Sequence, residues 1–292
     1  MSLNYLKRVV ALLAILPLSA IAGQAVDQHW DIGANAVVSV ENLAGKIEIQ
    51  GWERNEAHLT GTLGDSVDEL EVNASGSRLE ITVVNRSERN VDNTDLKLMV
   101  PAGANINVSA VSADIAVSSL DNEKLKASSV SGDLAISANS RRVSLESISG
   151  DVDFTGYTAR ISAESVSGDL SLSGVSGEVA VSSVSGDMEL IATGVERGKL
   201  ETVSGDVEME CELSENGSLK AESMSGTVLL SLPANYAGLL EASTFSGEIT
   251  SAFGAVKEEK YGPGSRLRYE SGNGGAEVRV ESFSGNIKLK SK

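Results

Sequence analysis

The chain has 292 residues, of which 41% are hydrophobic, and a formal net charge of −17 at pH 7. This apolar fraction is typical of a folded protein, and the length is sufficient for one large domain. The strong negative charge excludes partners that are themselves polyanions, so we expect no binding to nucleic acid or to anionic membrane surfaces.

Residues 1–22 have the features of a secretory signal peptide. Lys7 and Arg8 precede a short apolar run at 9–18, and Ala20-Ile21-Ala22 fits the small-x-small pattern that is cleaved before Gly23. The run is too short to span a bilayer, so we expect no transmembrane helix in the mature chain. This segment predicts an exported protein of the periplasm or the cell surface.

Residues 23–110 predict irregular β-rungs that cap a repeat array. The stretch 38–52 looks like a diverged copy of the repeat described below, and 70–72 and 79–83 alternate as the two strands of a hairpin. His29 and His58 are the chain's two histidines. They are distant in sequence and accompanied by a single cysteine, so we expect no zinc site and interpret His58 as a surface residue.

Residues 111–253 form a regular array built on the motif Val-Ser-Gly-Asp. Counted on the glycine or its equivalent from position 113, the steps are 19, 18, 18, 9, 9, 19, 21, 21 and 38 residues, and the last copy lies near the C-terminus. A fixed period near 19 residues indicates a repeat architecture, in which each unit buries its apolar face against its neighbours.

Each repeat alternates between two parities with a flip in the middle. Ile161, Ala163 and Ser165 lie at alternate, odd-numbered positions, and the set from Val166 through Gly168 to Leu172 lies at alternate, even-numbered positions. Both sets are expected to face inward. Period-two alternation predicts strands with one buried face, and a flip without an insertion requires a bend. The pattern therefore predicts an all-β, single-domain β-solenoid of short two-strand repeats of about 18–21 residues. The predicted bend glycines are Gly132, Gly150, Gly168, Gly177, Gly186, Gly205, Gly226, Gly247 and Gly285.

The outward parity carries a row of serines and a row of carboxylates. If the copies stack in register, equivalent residues lie about 4.8 Å apart and form two ladders, which are the most distinctive surface that the sequence predicts. The members are Ser131, Asp133, Ser149, Asp151, Ser167, Asp169, Ser185, Asp187, Ser204 and Asp206.

Residues 254–292 predict a loop insertion followed by closing rungs that continue the solenoid. The final strand, 283–289, carries Lys288 on its outward side, with Lys290 just beyond it, and lysine on an exposed last strand discourages edge-to-edge pairing. Within the array, Cys211 shares the inward parity and is expected to be a small core residue.

The sequence resembles the bacterial putative-adhesin family of unknown function, also called the toast-rack domain. The resemblance covers 36–290 and rests on 45–49 with Trp52, the stop at 100–103, the Ser-Gly-Asp series, and 272–275 before the closing copy at 284–287. It implies a β-solenoid-like fold in exported or envelope-facing proteins and supplies no catalytic residues.

A catalytic set is not evident in the residues themselves. We find no Gly-x-Ser-x-Gly elbow, no phosphate-binding loop and no histidine near the array, so the leading interpretation is a non-catalytic envelope scaffold that contacts a protein or glycan through its Ser/Asp face. One alternative is polysaccharide binding or cleavage by stacked aspartates such as Asp133, Asp151 and Asp169. A second is a structural rod stabilised by calcium. The simplest interpretation of the two ladders is that Ser and Asp satisfy backbone groups at the bend. The oligomeric state stays open.

Overall fold

The structure is a computed structural model that describes residues 23–87, 91–258, 264–272 and 274–292. The signal peptide predicted for 1–22 lies outside these residues, as do 259–263 and Asn273 of the predicted insertion. Within the described ranges we find no helix with the length and apolar character that crossing a membrane requires.

The regular secondary structure of the described residues consists of nineteen β-strands, which confirms the all-β prediction. The strands are β1 (Gln24–Asp31), β2 (Val37–Trp52), β3 (Glu56–Leu63), β4 (Val67–Ser75), β5 (Arg78–Asn85), β6 (Thr94–Pro101), β7 (Asn105–Ser129), β8 (Leu134–Ser147), β9 (Val152–Ser165), β10 (Leu170–Ser183), β11 (Met188–Thr202), β12 (Val207–Ser223), β13 (Val228–Leu232), β14 (Gly238–Thr244), β15 (Ile249–Ser251), β16 (Lys257–Glu258), β17 (Ser265–Ser271), β18 (Ala276–Ser282) and β19 (Ile287–Ser291).

The strands follow the period-two pattern of the sequence. In β8, Leu134, Ile136 and Ala138 are buried, whereas Ala135 and Ser137 between them are exposed. The buried apolar side chains of all repeats belong to one continuous cluster, which runs along the interior of the stack. Because each repeat contributes only a few apolar side chains, this shared core is what stabilises the array.

Successive repeats stack as parallel strands, one repeat apart. Leu134 of β8 pairs with Val152 of β9, Val152 pairs with Leu170 of β10, and Leu170 pairs with Met188 of β11. Each long strand continues through a bulge, and the Val-Ser-Gly-Asp corner separates it from the next strand. The predicted β-solenoid is therefore confirmed, and residues at equivalent positions lie directly above one another.

The N-terminal strands extend the stack beyond β7, the first strand of the regular array. β2 pairs in parallel with β7 and places Gly45 opposite Ala113, which confirms that 38–52 is a diverged copy of the repeat. β6 pairs in parallel with β2, and β3 and then β1 follow in antiparallel orientation. The predicted hairpin is β4–β5, and its second strand also pairs with β2.

The final strands lie inside the stack and not at its end. β18 lies between β12 and β14, and β19 lies between β13 and β15. The prediction that the strand bearing Lys288 is the exposed last rung is therefore wrong, although Lys288 and Lys290 both face outward. The reason is that β17 runs antiparallel along one edge of β14, so that the chain returns to the start of β14 and β18 can pair in parallel with its other edge.

Candidate functional site

The corner between consecutive long strands is the feature that recurs in every repeat. At the corner between β9 and β10, Ser165 is buried, Val166 and Ser167 are exposed, Gly168 is buried and Asp169 is exposed. Two consecutive residues therefore face solvent at the corner, and the alternation resumes with the glycine.

This arrangement corrects the sequence analysis at one position. Val166 was expected to face inward together with Gly168 and Leu172, but its exposed fraction is 43%, whereas Leu172 is buried as expected. The physical reason is a tight turn, in which the buried Ser165 hydroxyl donates a hydrogen bond to the Gly168 carbonyl at 2.6 Å. That bond pulls the two ends of the turn together on the inside and leaves Val166 and Ser167 on the outside.

Val166 has an exposed equivalent in nine stacked rungs, and together these side chains form a continuous exposed row that we call the apolar ladder. Their exposed fractions range from 39% to 58%. Backbone hydrogen bonds between adjacent corners, such as Ser167 N–H to the Ile148 carbonyl at 2.9 Å, hold the rungs in register. In stacking order the apolar ladder is Val111, Val130, Ile148, Val166, Val184, Val203, Met224, Phe283 and Phe245. The ladder ends in two stacked phenyl rings, whose centroids lie 5.2 Å apart.

The predicted bend glycines form a column immediately inside the corner. A Cβ atom built on Gly168 would lie 2.0 Å from the carbonyl oxygen of Gly150, which is closer than real Cβ atoms approach. The same contact with the preceding rung recurs at Gly132, Gly150, Gly186, Gly205, Gly226, Gly247 and Gly285. Gly177 lies outside this column, because it belongs to the other side of the repeat. There it has a φ of +63° and lies against Ala159.

The predicted carboxylate ladder is exposed, and its members hydrogen-bond the backbone of the next rung. Asp151 Oδ1 accepts the Asp169 N–H at 3.0 Å, and Asp133 Oδ1 accepts the Asp151 N–H at 2.9 Å. In the same way, the backbone N–H groups of Asp187 and Asp206 donate to the Oδ1 atoms of Asp169 and Asp187, each at 2.8 Å. Each carboxylate thus takes the place of a backbone carbonyl at the corner. The contacts are uniform along the ladder and distinguish no pair of aspartates, so polysaccharide cleavage and calcium binding by this ladder stay predictions.

The predicted serine ladder lies between the apolar side chains and the aspartates. Ser131, Ser149 and Ser167 donate their backbone N–H groups to the preceding corner at 2.8–2.9 Å. In later rungs the hydroxyls also reach the preceding corner, with Ser185 donating to the Val166 carbonyl and Ser204 to the Val184 carbonyl. These contacts link the rungs and leave the serines on the exposed surface.

A third row of hydroxyls was given no role by the sequence analysis. A buried Ser or Thr precedes each apolar-ladder residue from Val130 onward. Its hydroxyl hydrogen-bonds within its own corner, as at Ser147 with the Gly150 carbonyl (2.6 Å), except that the Thr244 hydroxyl donates to the Gly285 carbonyl of the adjacent rung. The row comprises Ser129, Ser147, Ser165, Ser183, Thr202, Ser223, Thr244 and Ser282. The signal that could have identified it is the recurrence of a hydroxyl residue at an inward position immediately before the motif.

Cys211 lies in the core, as its parity predicts, and is a free cysteine. Desolvation by burial, with a contribution from the charge of Glu212, raises the pKa of its thiol to about 12. The thiolate is the reactive form of cysteine, so this residue is chemically inert at neutral pH.

The two histidines, which are distant in sequence, are neighbours in the structure. His29 of β1 lies opposite His58 of β3, and their rings stack with centroids 3.8 Å apart. Asp27 Oδ1 lies 2.9 Å from His58 Nε2 and 3.5 Å from His29 Nε2. In the described part of the chain, these three residues are the one group of His, Cys, Asp or Glu side chains close enough together to hold a metal ion.

Comparisons with known proteins place the chain in a family. Similar solved structures include a putative adhesin from Bacteroides fragilis at 11% identity (TM-score 0.44; 91% of this chain and 97% of that chain). They also include a putative adhesin from Parabacteroides merdae at 12% identity (TM-score 0.41; 91% and 96%) and a putative lipid binding protein from Parabacteroides distasonis at 14% identity (TM-score 0.37; 92% and 99%). No curated protein matches the chain. The family described as Toastrack DUF4097 matches residues 37–290. The resemblance inferred from the Ser-Gly-Asp series is therefore confirmed, and the chain belongs to the Toastrack DUF4097 family.

Proposed function

We propose that this protein is an exported, non-catalytic scaffold of the cell envelope that binds a protein partner along its apolar ladder. The observation that carries the proposal is the unbroken row of exposed apolar side chains, from Val111 to Phe245, at the same corner of nine stacked rungs. Nine residues spaced by about 4.8 Å give a stripe roughly 38 Å long.

Exposed apolar surface of this extent is unusual on a monomeric protein and is typical of an interaction site. The apolar ladder is bordered along its length by exposed serines and aspartates, for example Ser167 and Asp169 beside Val166. An apolar centre with a polar rim is the usual anatomy of a protein interface, and the acidic border favours a partner that carries basic residues around an apolar strip.

The chemistry of the ladder favours a protein over a glycan. Sugar rings are bound mainly by aromatic platforms, and the ladder is aliphatic apart from Phe283 and Phe245 at its end. The aspartate ladder is likewise engaged with the backbone of the neighbouring rungs, as at Asp151 with the Asp169 N–H.

A triple variant tests the proposal: Ile148→Thr, Val166→Thr and Val184→Thr. Threonine keeps the β-branched shape and strand preference of these residues but adds a hydroxyl, so the thermal stability should change little because all three side chains are already exposed. Complex formation in envelope extracts, measured by co-fractionation on a sizing column, should weaken at least tenfold, since each lost apolar contact is worth about 1 kcal/mol.

Ile191→Thr is the matched control, because Ile191 has the same exposed fraction as Val166 (43%) but lies in β11 away from the corner. This variant should retain the complex. Equal loss in the control, or a triple variant that retains the complex, would contradict the proposal.

Export is tested separately by cell fractionation. The full-length chain should be found in the envelope or periplasmic fraction, and a variant lacking 2–22 should be retained in the cytoplasm. A cytoplasmic location for the full-length chain would contradict this part of the proposal.

A further inference from the structure

We propose that Asp27, His29 and His58 form a surface binding site for a divalent transition-metal ion of the Zn²⁺ and Cu²⁺ class. The site lies on β1 and β3, on the N-terminal side of the stack, and is separate from the corner that carries the apolar ladder. It is therefore independent of the proposed function.

The backbone brings the three side chains together on one face. β1 and β3 are antiparallel with His29 opposite His58, and Asp27 is two residues before His29, so it points to the same side of the sheet. Cross-strand neighbours have Cβ atoms about 5 Å apart, which is close enough for two imidazoles and one carboxylate to reach a common ion.

The distances fit coordination once the two imidazole rings, now stacked with 12° between their planes, rotate so that their nitrogen lone pairs converge on one ion. One candidate ligand atom from each of the three residues can be chosen so that all lie within 4.8 Å of one another. In a tetrahedral site with ligand bonds of about 2.05 Å, ligand atoms are about 3.3 Å apart. The separations of 2.9 Å and 3.5 Å between Asp27 Oδ1 and the two histidine Nε2 atoms bracket that value.

The donor set selects the class of ion. Two imidazoles and one carboxylate suit Zn²⁺, Cu²⁺ and Ni²⁺, whereas Ca²⁺ and Mg²⁺ prefer sites made of oxygen alone. Three protein ligands leave at least one coordination position for water or an exchangeable group, and the exposure of Asp27 and His29 gives the ion a direct path from solvent. The net charge of −17 raises the local concentration of cations.

Nearby residues form a defined wall around the group. The Trp52 ring lies 6.4 Å from the His58 ring and is held by a hydrogen bond from its Nε1 to the Glu56 carbonyl at 2.9 Å. The guanidinium of Arg54 lies over the Trp52 ring, 5.0 Å from its centre, and forms an ion pair with Glu56 at 3.1 Å. The positive charge of Arg54 is thus paired with a carboxylate.

The test is calorimetric titration of the tag-free, full-length mature chain with ZnCl₂ and, separately, CuCl₂. We expect binding of one ion per chain, and we expect His29→Gln and His58→Gln each to weaken it at least tenfold. Asp27→Asn should weaken binding as well, and Asp95→Asn is its matched control, because it removes the same charge from an exposed position on β6 and should leave binding unchanged. His29 is the more exposed histidine, with 56% of its side chain accessible, so His29→Gln tests the site even if His58→Gln fails to fold.

Electron paramagnetic resonance of the Cu²⁺-loaded protein identifies the ligands directly. We expect nitrogen couplings from two imidazoles in the parent chain and from one imidazole in His29→Gln. Metal binding that persists unchanged in both histidine variants, a spectrum without imidazole couplings, or no binding of either ion at 100-fold excess would overturn the proposal.

Discussion

Replacement of Gly168 by alanine tests the close stacking of the corners. A Cβ atom at this position would lie 2.0 Å from the Gly150 carbonyl oxygen and 2.6 Å from the carbonyl carbon, and real Cβ atoms essentially never approach closer than 3.0 Å. The two rungs would therefore have to separate locally by about 1 Å. The contacting atoms belong to the backbone of the neighbouring rung, so they cannot move aside as the end of a flexible side chain could.

The cost follows from the bonds that fix this spacing. The Ser167 N–H donates to the Ile148 carbonyl at 2.9 Å, and the Asp169 N–H donates to Asp151 Oδ1 at 3.0 Å. Weakening two such bonds costs about 1 kcal/mol each, and overpacking strain adds about 1–3 kcal/mol. We expect Gly168→Ala to lower the free energy of unfolding by about 3–5 kcal/mol, measured by urea denaturation followed by circular dichroism.

Gly76→Ala is the control for this prediction. Gly76 lies in the turn between β4 and β5, and a Cβ atom there would meet no heavy atom within 4 Å, so we expect a change within about 0.5 kcal/mol. If Gly168→Ala were as stable as Gly76→Ala, the close approach of successive corners, and with it the register of the whole array, would be refuted.

Three further predictions concern other parts of the stack. Asp151→Ala removes the acceptor of the Asp169 N–H and should cost about 1–2 kcal/mol in thermal unfolding, whereas Asp151→Asn keeps an acceptor oxygen and should cost less than about 0.5 kcal/mol; equal losses would contradict a purely hydrogen-bonding role. The Cys211 thiol has a pKa near 9.0 in the unfolded chain and about 12 when buried, so between these values only the unfolded chain releases the proton, and the free energy of unfolding should fall as the pH rises. Cys211→Ala should flatten this fall, and an unchanged pH profile would show that the thiol is not buried. Deletion of 276–292 removes the strands between β12–β13 and β14–β15. Amide hydrogen exchange across β15, which pairs with β19 among the described strands, should then become fast, whereas β14 keeps its pairing with β17; continued protection of β15 would show that the last rung is not intercalated.

The sequence predicted the rungs because burial leaves a direct trace in it. Residues such as Leu134, Val152 and Leu170 recur at the repeat period and alternate with polar residues, and the structure places them above one another in the core. The same alternation is ambiguous at a corner, since it shows that the parity flips but not at which residue. A hydrogen bond from the buried Ser165 hydroxyl decides that Val166 faces outward, and this contact has no periodic signature.

The remaining features that the sequence analysis missed have a common origin in non-local pairing. His29 and His58 become neighbours only through the antiparallel register of β1 and β3, which no local pattern encodes. In the same way, the place of β19 between β13 and β15 depends on the return of the chain along β14, and the copy at Phe283 looks like any other copy in sequence. Local periodicity thus predicts what a rung looks like, whereas the order of the rungs at both ends of the stack is a tertiary property.

The most direct test of the apolar ladder as an interaction surface is photo-crosslinking in living cells. A photoreactive amino acid is placed in turn at Val130, Val166 and Val203 on the ladder, and at Ile191 and Tyr157 as exposed positions away from it. We predict that the three ladder positions yield an adduct with the same envelope protein and that the two control positions do not. Adducts of equal yield at the control positions, or different adducts at each ladder position, would contradict a continuous docking surface along the corner.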